Sequence, residues 1–389
     1  MKVTQIAPYV NAALKETLGE EAVTTDDLSN IVDQGTVIEN ASLMDTFTKG
    51  LMNQIGQMVF VERKYDGIAP SVLMDGSEYG SIVAKFSTDM PEAQEDQSWS
   101  LKNGATYAPV FYSTEAETKL FNSTNPYEFR RSVYYDQLKQ SFRSPEEMNR
   151  FLSMVATQVQ NAATVSVDNT IRATINNAIG ETLHAEMSDG TYTGKTGVRA
   201  INLLHLYNTK YGTNLTPNQA IVNPEFIRYA ILVIGLVKDR MHGMNTLYNI
   251  GGKTRFTPDD RMHTILLSVF AKAAGVFLYD GNGQYRVDNL SLGTVDTIPY
   301  WQGIGKGFGD DLGFEEASKV DIKTSGNNTV TASGVVGVVF DREALGVYNK
   351  KEKVTTDYSG AGDFWTSYYK YRAMHFNDFN EQFVVFYIA

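Results

Sequence analysis

An α+β fold is predicted from three stretches of the chain. Ser144 to Gly180 reads as one long unbroken helix, Tyr65 to Phe111 as short β-type runs punctuated by turn residues, and Ala344 to Ala389 as an aromatic, β-like terminal segment. In the helix, Ser144 is placed to cap, Pro145 suits the first helical position, and Glu147 completes a capping box. Apolar residues then recur at Met148, Phe151, Leu152, Val155, Val159, Ala162, Val167, Ile171, Ile175 and Ile179, the spacing of one helix face. Gly180 reads as the stop. About 35 residues without an internal Gly or Pro would span about 52 Å. The other face is rich in uncharged polar groups, among them Gln158, Gln160, Asn161, Asn169, Asn176 and Asn177. It lacks the alternating charges of coiled-coil flanks, which favours a spine packed on a sheet over a coiled coil; a helical bundle is the plainer alternative.

Taken in order, residues 1–41 show weak periodicity and read as an N-terminal arm, with a loosely held terminus as the other reading. Ser42 to Val59 is predicted helical, with Leu43, Met44, Phe47, Leu51, Met52, Ile55 and Met58 on one side, and it feeds Val59–Val61 as a strand. From Tyr65 to Phe111 the turn signals Gly67, Pro70, Asp75-Gly76, Gly80, Pro91 and Asn103-Gly104 describe an extended β-hairpin excursion. Between Asp66 and Gln97 the acids Asp66, Asp75, Glu78, Asp89, Glu92, Glu95 and Asp96 face one base, Lys85. Such a run is either a solvated loop or an arm lying on a basic patch of a neighbour, for which Arg130, Arg131, Lys139, Arg143 and Arg150 are candidates.

After the spine, Gly197 to Tyr211 is predicted helical and Leu215 to Val222 a strand. Asn223 then caps, and Pro224 opens, a helix apolar on nearly every side from Tyr229 to Val237. Met262–Leu267, Val276–Tyr279, Val295–Trp301 and Val335–Phe340 read as strands, while Gly303 to Gly313 and Ser325 to Ser333 read as loops. Ser359-Gly360-Ala361-Gly362 forms the tip of a second hairpin, and Phe383 to Ile388 a buried final strand. No internal repeat is present. The segments are 1–41, 42–121, 122–186, 187–327 and 328–389.

Composition narrows the function. Residues of hydrophobic type make up 42% of 389, ample for a core, and the absence of cysteine excludes disulfides, thiolate nucleophiles and cysteine zinc sites. No stretch has the length of a membrane span. A net charge of -11 argues against a nucleic-acid-gripping surface and points to protein partners.

Motifs for chemistry fail one by one. Gly251-Gly252-Lys253-Thr254 lacks the upstream glycine of a phosphate loop, because Leu247 stands there. Gly303 to Gly309 has Phe308 in place of the third glycine of a dinucleotide loop, and Asp280-Gly281-Asn282-Gly283 departs from the calcium pattern at Gln284 and Tyr285. The histidines His184, His205, His242, His263 and His375 have no metal-ligand spacing. No catalytic, cofactor or metal residue is assigned, and no cofactor is expected.

The order of elements resembles the major capsid proteins of tailed bacteriophages, the Hong Kong 97-type fold, and within them those of small short-tailed phages of the phi-twenty-nine kind. The residues that carry the resemblance are Thr46 to Val61, Val335 to Tyr348 with Val339-Phe340-Asp341-Arg342-Glu343-Ala344-Leu345-Gly346, Phe364-Trp365-Thr366-Ser367-Tyr368-Tyr369, and Phe383-Val384-Val385-Phe386. It implies an extended loop at Tyr65–Phe111, a peripheral domain with the spine in 122–186, an axial domain over 187–327, and a peripheral-domain hairpin at Val347–Ala373. The implied function is self-assembly through pentamers and hexamers into an icosahedral shell around double-stranded DNA, without sequence-specific contacts or a membrane. The setting would be a virion assembled in the bacterial cytoplasm. A portal is an implied partner. The short arm before Ser42 implies a separate scaffolding protein, and the ending at Ala389 implies no appended immunoglobulin-like domain. Candidate contacts between subunits are Asp89, Glu92, Glu95, Asp96, Arg130, Arg131, Lys139, Arg143, Gly360 and Gly362. Alternatives are an encapsulin-like nanocompartment shell, a tail or portal subunit and, from another class, a soluble α+β enzyme. The arm, acidic hairpin and aromatic sheet favour assembly, since each offers surface that only a neighbour could bury.

Overall fold

The helix predicted from Ser144 runs from Pro145 to Glu186 (α5) and is 42 residues long in the computed structural model. The structure describes residues 3–18, 28, 30–40, 43–51, 67–74, 83–88, 91, 93, 95–96, 102–104, 111, 113, 116–122, 124–187, 192–277, 294–303 and 312–389. Ser144 caps as expected, its Oγ accepting from the Glu147 backbone N–H at 3.2 Å. The predicted stop at Gly180 is overturned, because the helix passes through it for six more residues. Gly180 answers a packing need: a Cβ there would collide with Cγ2 of Ile322. A glycine inside a helix costs about 1 kcal/mol against alanine, so its presence marks close approach.

Two compact units are formed, each from several chain segments. The first takes Met1–Pro70, Thr124–Ile171 and Val347–Met374. It holds α1 (Val3–Leu18), α2 (Ile31–Asn40), the helical residues 44–51 (α3), β3 (Thr124–Tyr134) and α4 (Tyr135–Ser141). It also holds the start of α5 and most of β10 (Leu345–Ser359) and β11 (Phe364–Asn377). Most of the described residues of the expected arm are therefore helical. Their Ala7, Val10, Ala13 and Leu14 are buried in a core with Phe47, Phe142, Met148, Phe151, Leu152 and Trp365. Pro8 lies inside α1, and a proline within the run argues against a helix when the sequence is read alone.

In the three-stranded sheet β10-β11-β3, β11 pairs antiparallel with β3 from Phe364↔Tyr134 to Met374↔Thr124. Its inner face carries Trp365, Tyr369 and Tyr371, buried, and Val159 and Ala163 of α5 cluster with the two tyrosines. This is the spine packed on a sheet that the polar composition favoured. The hairpin tip is where the sequence placed it, but neither Gly360 nor Gly362 takes the left-handed conformation. Asp363 does, at φ 50°, and it accepts a hydrogen bond from the Tyr358 hydroxyl at 2.7 Å.

The second unit comprises Ser71–Ser123, Arg172–Gly346 and His375–Ala389. Its five-stranded sheet has the order β4 (Ala200–Asn202), β12 (Phe383–Tyr387), β9 (Val335–Asp341), β5 (Met262–Leu267), β6 (Thr294–Ile298). All residues of β9 and β12 are buried, and such strands read as continuous apolar runs. Helix α8 (Pro224–His242) is capped by Asn223, whose Oδ1 accepts from the N–H groups of Glu225 and Phe226. Its Phe226, Ala230, Ile234, Val237 and Met241 are buried, whereas Leu232 and Leu236 are exposed, so the helix is less enclosed than its composition suggests.

Four expectations are corrected in this unit. Leu215–Val222 is a short helix, α7 (Pro217–Ile221), because Thr216 and Gln219 form a complete capping box. The run from Gly197 begins with strand β4 before Asn202 caps α6 (Leu203–Tyr211). Val276 belongs to α9 (Ser268–Phe277), and 278–279 lie outside the described residues. Ser325–Ser333 is largely a hairpin: β7 (Val320–Lys323) pairs with β8 (Thr329–Ala332) across a turn in which Asn327 is left-handed.

Gly180→Ala is expected to lower stability by about 1–2 kcal/mol, with overpacking outweighing the helix-propensity gain. In an Ile322→Ala background, the same change becomes neutral or stabilising. Thermal melts of the four proteins check this; equal losses in both backgrounds would contradict the packing role.

Candidate assembly surfaces

The excursion is anchored by an antiparallel ribbon of β1 (Val83–Thr88) and β2 (Ala116–Phe121), in register from Val83↔Phe121 to Thr88↔Ala116. Side chains alternate between its two faces. One face presents Lys85, Ser87, Lys119 and Phe121, each part-buried. The other presents Ala84, Phe86, Thr118 and Leu120, all exposed. Phe86 is 78% exposed and Leu120 65%, which makes an apolar strip on a strand pair that the unit itself does not cover. Residues 89–115 lie between the paired legs and include the last four acids of the run, Asp89, Glu92, Glu95 and Asp96. Of that run, Glu95 and Asp96 are exposed, whereas Asp89 and Glu92 fall outside the described residues.

The predicted basic residues do not share one surface. Arg130 and Arg131 are consecutive in β3, so they take opposite faces. Arg130 stands on the outer face, opposite Tyr368, and pairs with Glu128 at 2.6 Å. That hydrogen bond raises its pKa. Arg131 stands opposite Ser367, whose side chain is buried on the inner face, and its Nε is itself buried. Lys139 is held by Glu39, a hydrogen bond that raises its pKa, and Arg143 is exposed just before α5.

Three further cations join Arg130 on the outer sheet face. Lys370 and Arg372 alternate along β11, and with Lys353 of β10 they line a cleft of about 270 Å³ whose other walls are Pro126, Tyr127, Glu128 and Tyr371. Lys353 and Lys370 make no ion pair among the described residues. In a chain of net charge -11, this concentration of positive charge is an exception. Period-two spacing of Lys370 and Arg372 was the available signal; their distance in sequence from Arg130 concealed the patch.

No group of three or more His, Asp or Glu able to hold a metal occurs among the described residues. The fragment Gly251–Thr254 is a turn, with the Asn249 side chain accepting from the Lys253 N–H and donating to its carbonyl, and Lys253 pairing with Glu117. His263 in β5 is half-buried, with both ring nitrogens buried and without a hydrogen-bond partner, and burial lowers its pKa, which favours the neutral ring.

No curated protein matches the chain. Among solved structures, the capsid structure of Staphylococcus phage Andhra aligns at 10% identity over 82% of this chain and 83% of that one, with a TM-score of 0.49. The capsid of the Cyanophage P-SCSP1u aligns at 10% identity over 82% and 86%, with a TM-score of 0.42. The mature capsid of bacteriophage PhiM1 gives 10%, 84% and 88%, with a TM-score of 0.42. The family model of the Phi29-like phage major capsid protein matches residues 10–387, nearly the whole length, and the chain belongs to that family.

Proposed function

We propose that the icosahedral shell formed by this major capsid protein encloses double-stranded DNA, and that its copies join through the exposed ribbon and the basic sheet face. The observation that carries this reading is the apolar strip of Ala84, Phe86 and Leu120 on an antiparallel ribbon, a surface suited to burial by a neighbouring copy. Charge complementarity supports the second contact. Residues 86–101 contain Asp89, Glu92, Glu95 and Asp96 and no base, and they would lie on the face of Arg130, Lys353, Lys370 and Arg372 of the next copy. Arg143 and the exposed hairpin tip at Gly360 and Gly362 are further contacts in this proposal.

The net charge of -11 supports containment of DNA without a grip on it, since phosphate contacts need clustered cations. In the same reading, residues 187–327 build pentamers and hexamers as an axial domain, and 122–186 form the peripheral domain. A separate scaffolding protein and a portal take part, and assembly proceeds in the bacterial cytoplasm. The role is structural rather than enzymatic.

Electron microscopy and light scattering of the full chain, alone and with a candidate scaffolding protein, test the assembly. Closed shells or capsomer rings are expected; a monomer under both conditions would sink the proposal. Phe86→Ser combined with Leu120→Ser is expected to leave the melting temperature unchanged. The threshold concentration for assembly should rise by roughly a hundredfold, as expected from losing about 3 kcal/mol of apolar burial per contact. Lys353→Glu with Lys370→Glu should reduce shell yield and abolish its salt sensitivity, and adding Glu92→Lys with Glu95→Lys should restore yield. Unchanged shells that retain less DNA would instead make the basic face a phosphate contact.

A further inference from the structure

Lys85 and Lys119 stand directly opposite each other across the ribbon, an arrangement that by itself repels. Both ammonium groups converge on one carboxylate: Lys85 Nζ lies 3.0 Å from Asp378 Oδ2 and Lys119 Nζ 3.1 Å from Oδ1. The Asp378 side chain is 3% exposed. Its Oδ1 also accepts from the Asn380 backbone N–H at 3.1 Å, and its own N–H donates to the Ala344 carbonyl at 2.6 Å, so the turn holding it is fixed. Lys85 further donates to the Glu343 carbonyl at 2.6 Å, and its Nζ lies 3.6 Å from Glu381 and 3.7 Å from Glu343. Arg255 pairs with Glu381, Arg261 with Asp341 and Glu343, and Lys253 with Glu117. Beside this charge cluster, on the same ribbon face, Phe121 packs against Phe376 at 4.8 Å between centroids, and Lys85 Nζ lies 5.9 Å from the centroid of that ring.

We infer that Lys85, Lys119 and Asp378 are positioning residues for assembly, an ionic clamp that holds one face of the ribbon down and so presents Phe86 and Leu120 to the neighbouring copy. A carboxylate whose two oxygens engage both strands fixes the ribbon in rotation as well as in place. Alternation then decides the rest, because whichever face is held, the other is offered. Without Asp378 the two lysines repel across the strands, Lys119 loses its ion pair, and Lys85 is left with Glu343 and Glu381. The inference rests on the assembly reading, but the behaviour of the ribbon can be read without it.

The test uses the full chain with Asp378→Asn and the conservative Asp378→Glu, followed by hydrogen exchange, melting and electron microscopy. Asp378→Asn should speed exchange of the 83–88 and 116–121 amides at least tenfold while β9 and β12 amides stay protected, and the particles should be open or irregular. Asp378→Glu should restore both. Acid provides a second readout. Although burial opposes the charge, Lys85 holds the Asp378 carboxyl below its ordinary range, whereas burial pushes Glu381 up. The clamp's contribution is therefore present above about pH 3.9 and lost as pH falls through the lower folded value, after Glu381 has already taken its proton. Ribbon protection in the natural chain should show that acid step, and Asp378→Asn should lack it. The inference is overturned if ribbon exchange is unchanged in Asp378→Asn, if ribbon and β9 exchange rise together, or if the particles stay regular. Should the natural chain form no particles at all, the assembly reading fails, and the exchange data still decide whether the clamp exists.

Discussion

Apart from the groups at its two ends, the backbone hydrogen bonds of α5 are satisfied inside one unbroken element over 42 residues. This lets the chain return to that helix repeatedly from distant parts of the sequence. Its first half supplies Met148, Phe151, Leu152 and Val155 to one core, where the N-terminal helices and Trp365 pack. Its last turns supply Gly180 and Asn176 to the other unit, where Asn176 donates to the Trp301 carbonyl at 2.8 Å. The uncharged polar face noted in sequence is thus partly interior: Asn176 is 3% exposed. Buried amides of this kind need specific partners.

Alternation along strands governs the surfaces as the spine governs the cores. The ribbon places Lys85 and Lys119 inward and Phe86 and Leu120 outward. The three-stranded sheet places Tyr369 and Tyr371 against the spine, and Arg130, Lys370 and Arg372 on the other side. A shell protein needs both properties in each copy, a core that folds without neighbours and faces that remain unsatisfied until neighbours arrive. The period of two supplies both from the same strands.

Element types were legible where caps and long periods coincided. Ser144-Pro145, Asn223-Pro224 and the apolar runs of β5, β9 and β12 carry their own local physics, and the structure has them where the sequence places them. Short segments were misread where a local hydrogen-bond motif outweighed composition, as Thr216 and Gln219 did for α7. The candidate contacts were legible only as charge runs. Lys353, Lys370 and Arg372 become one patch because β10 and β11 are adjacent, and no window of sequence contains all three with Arg130.

By itself the sequence determined the α+β class and the positions of the spine and the hairpin tip, and the order of its elements resembles that of the capsid family to which the chain belongs. Each of these follows from periodicity, capping or order, which are properties of neighbouring residues. Only the tertiary structure decided that Gly180 is a packing residue rather than a stop, that Arg130 and Arg131 part company, and that one buried aspartate gathers two opposed lysines. Those outcomes depend on which residues hundreds of positions apart become neighbours. Burial, pairing and pKa are set by that proximity and not by distance along the chain.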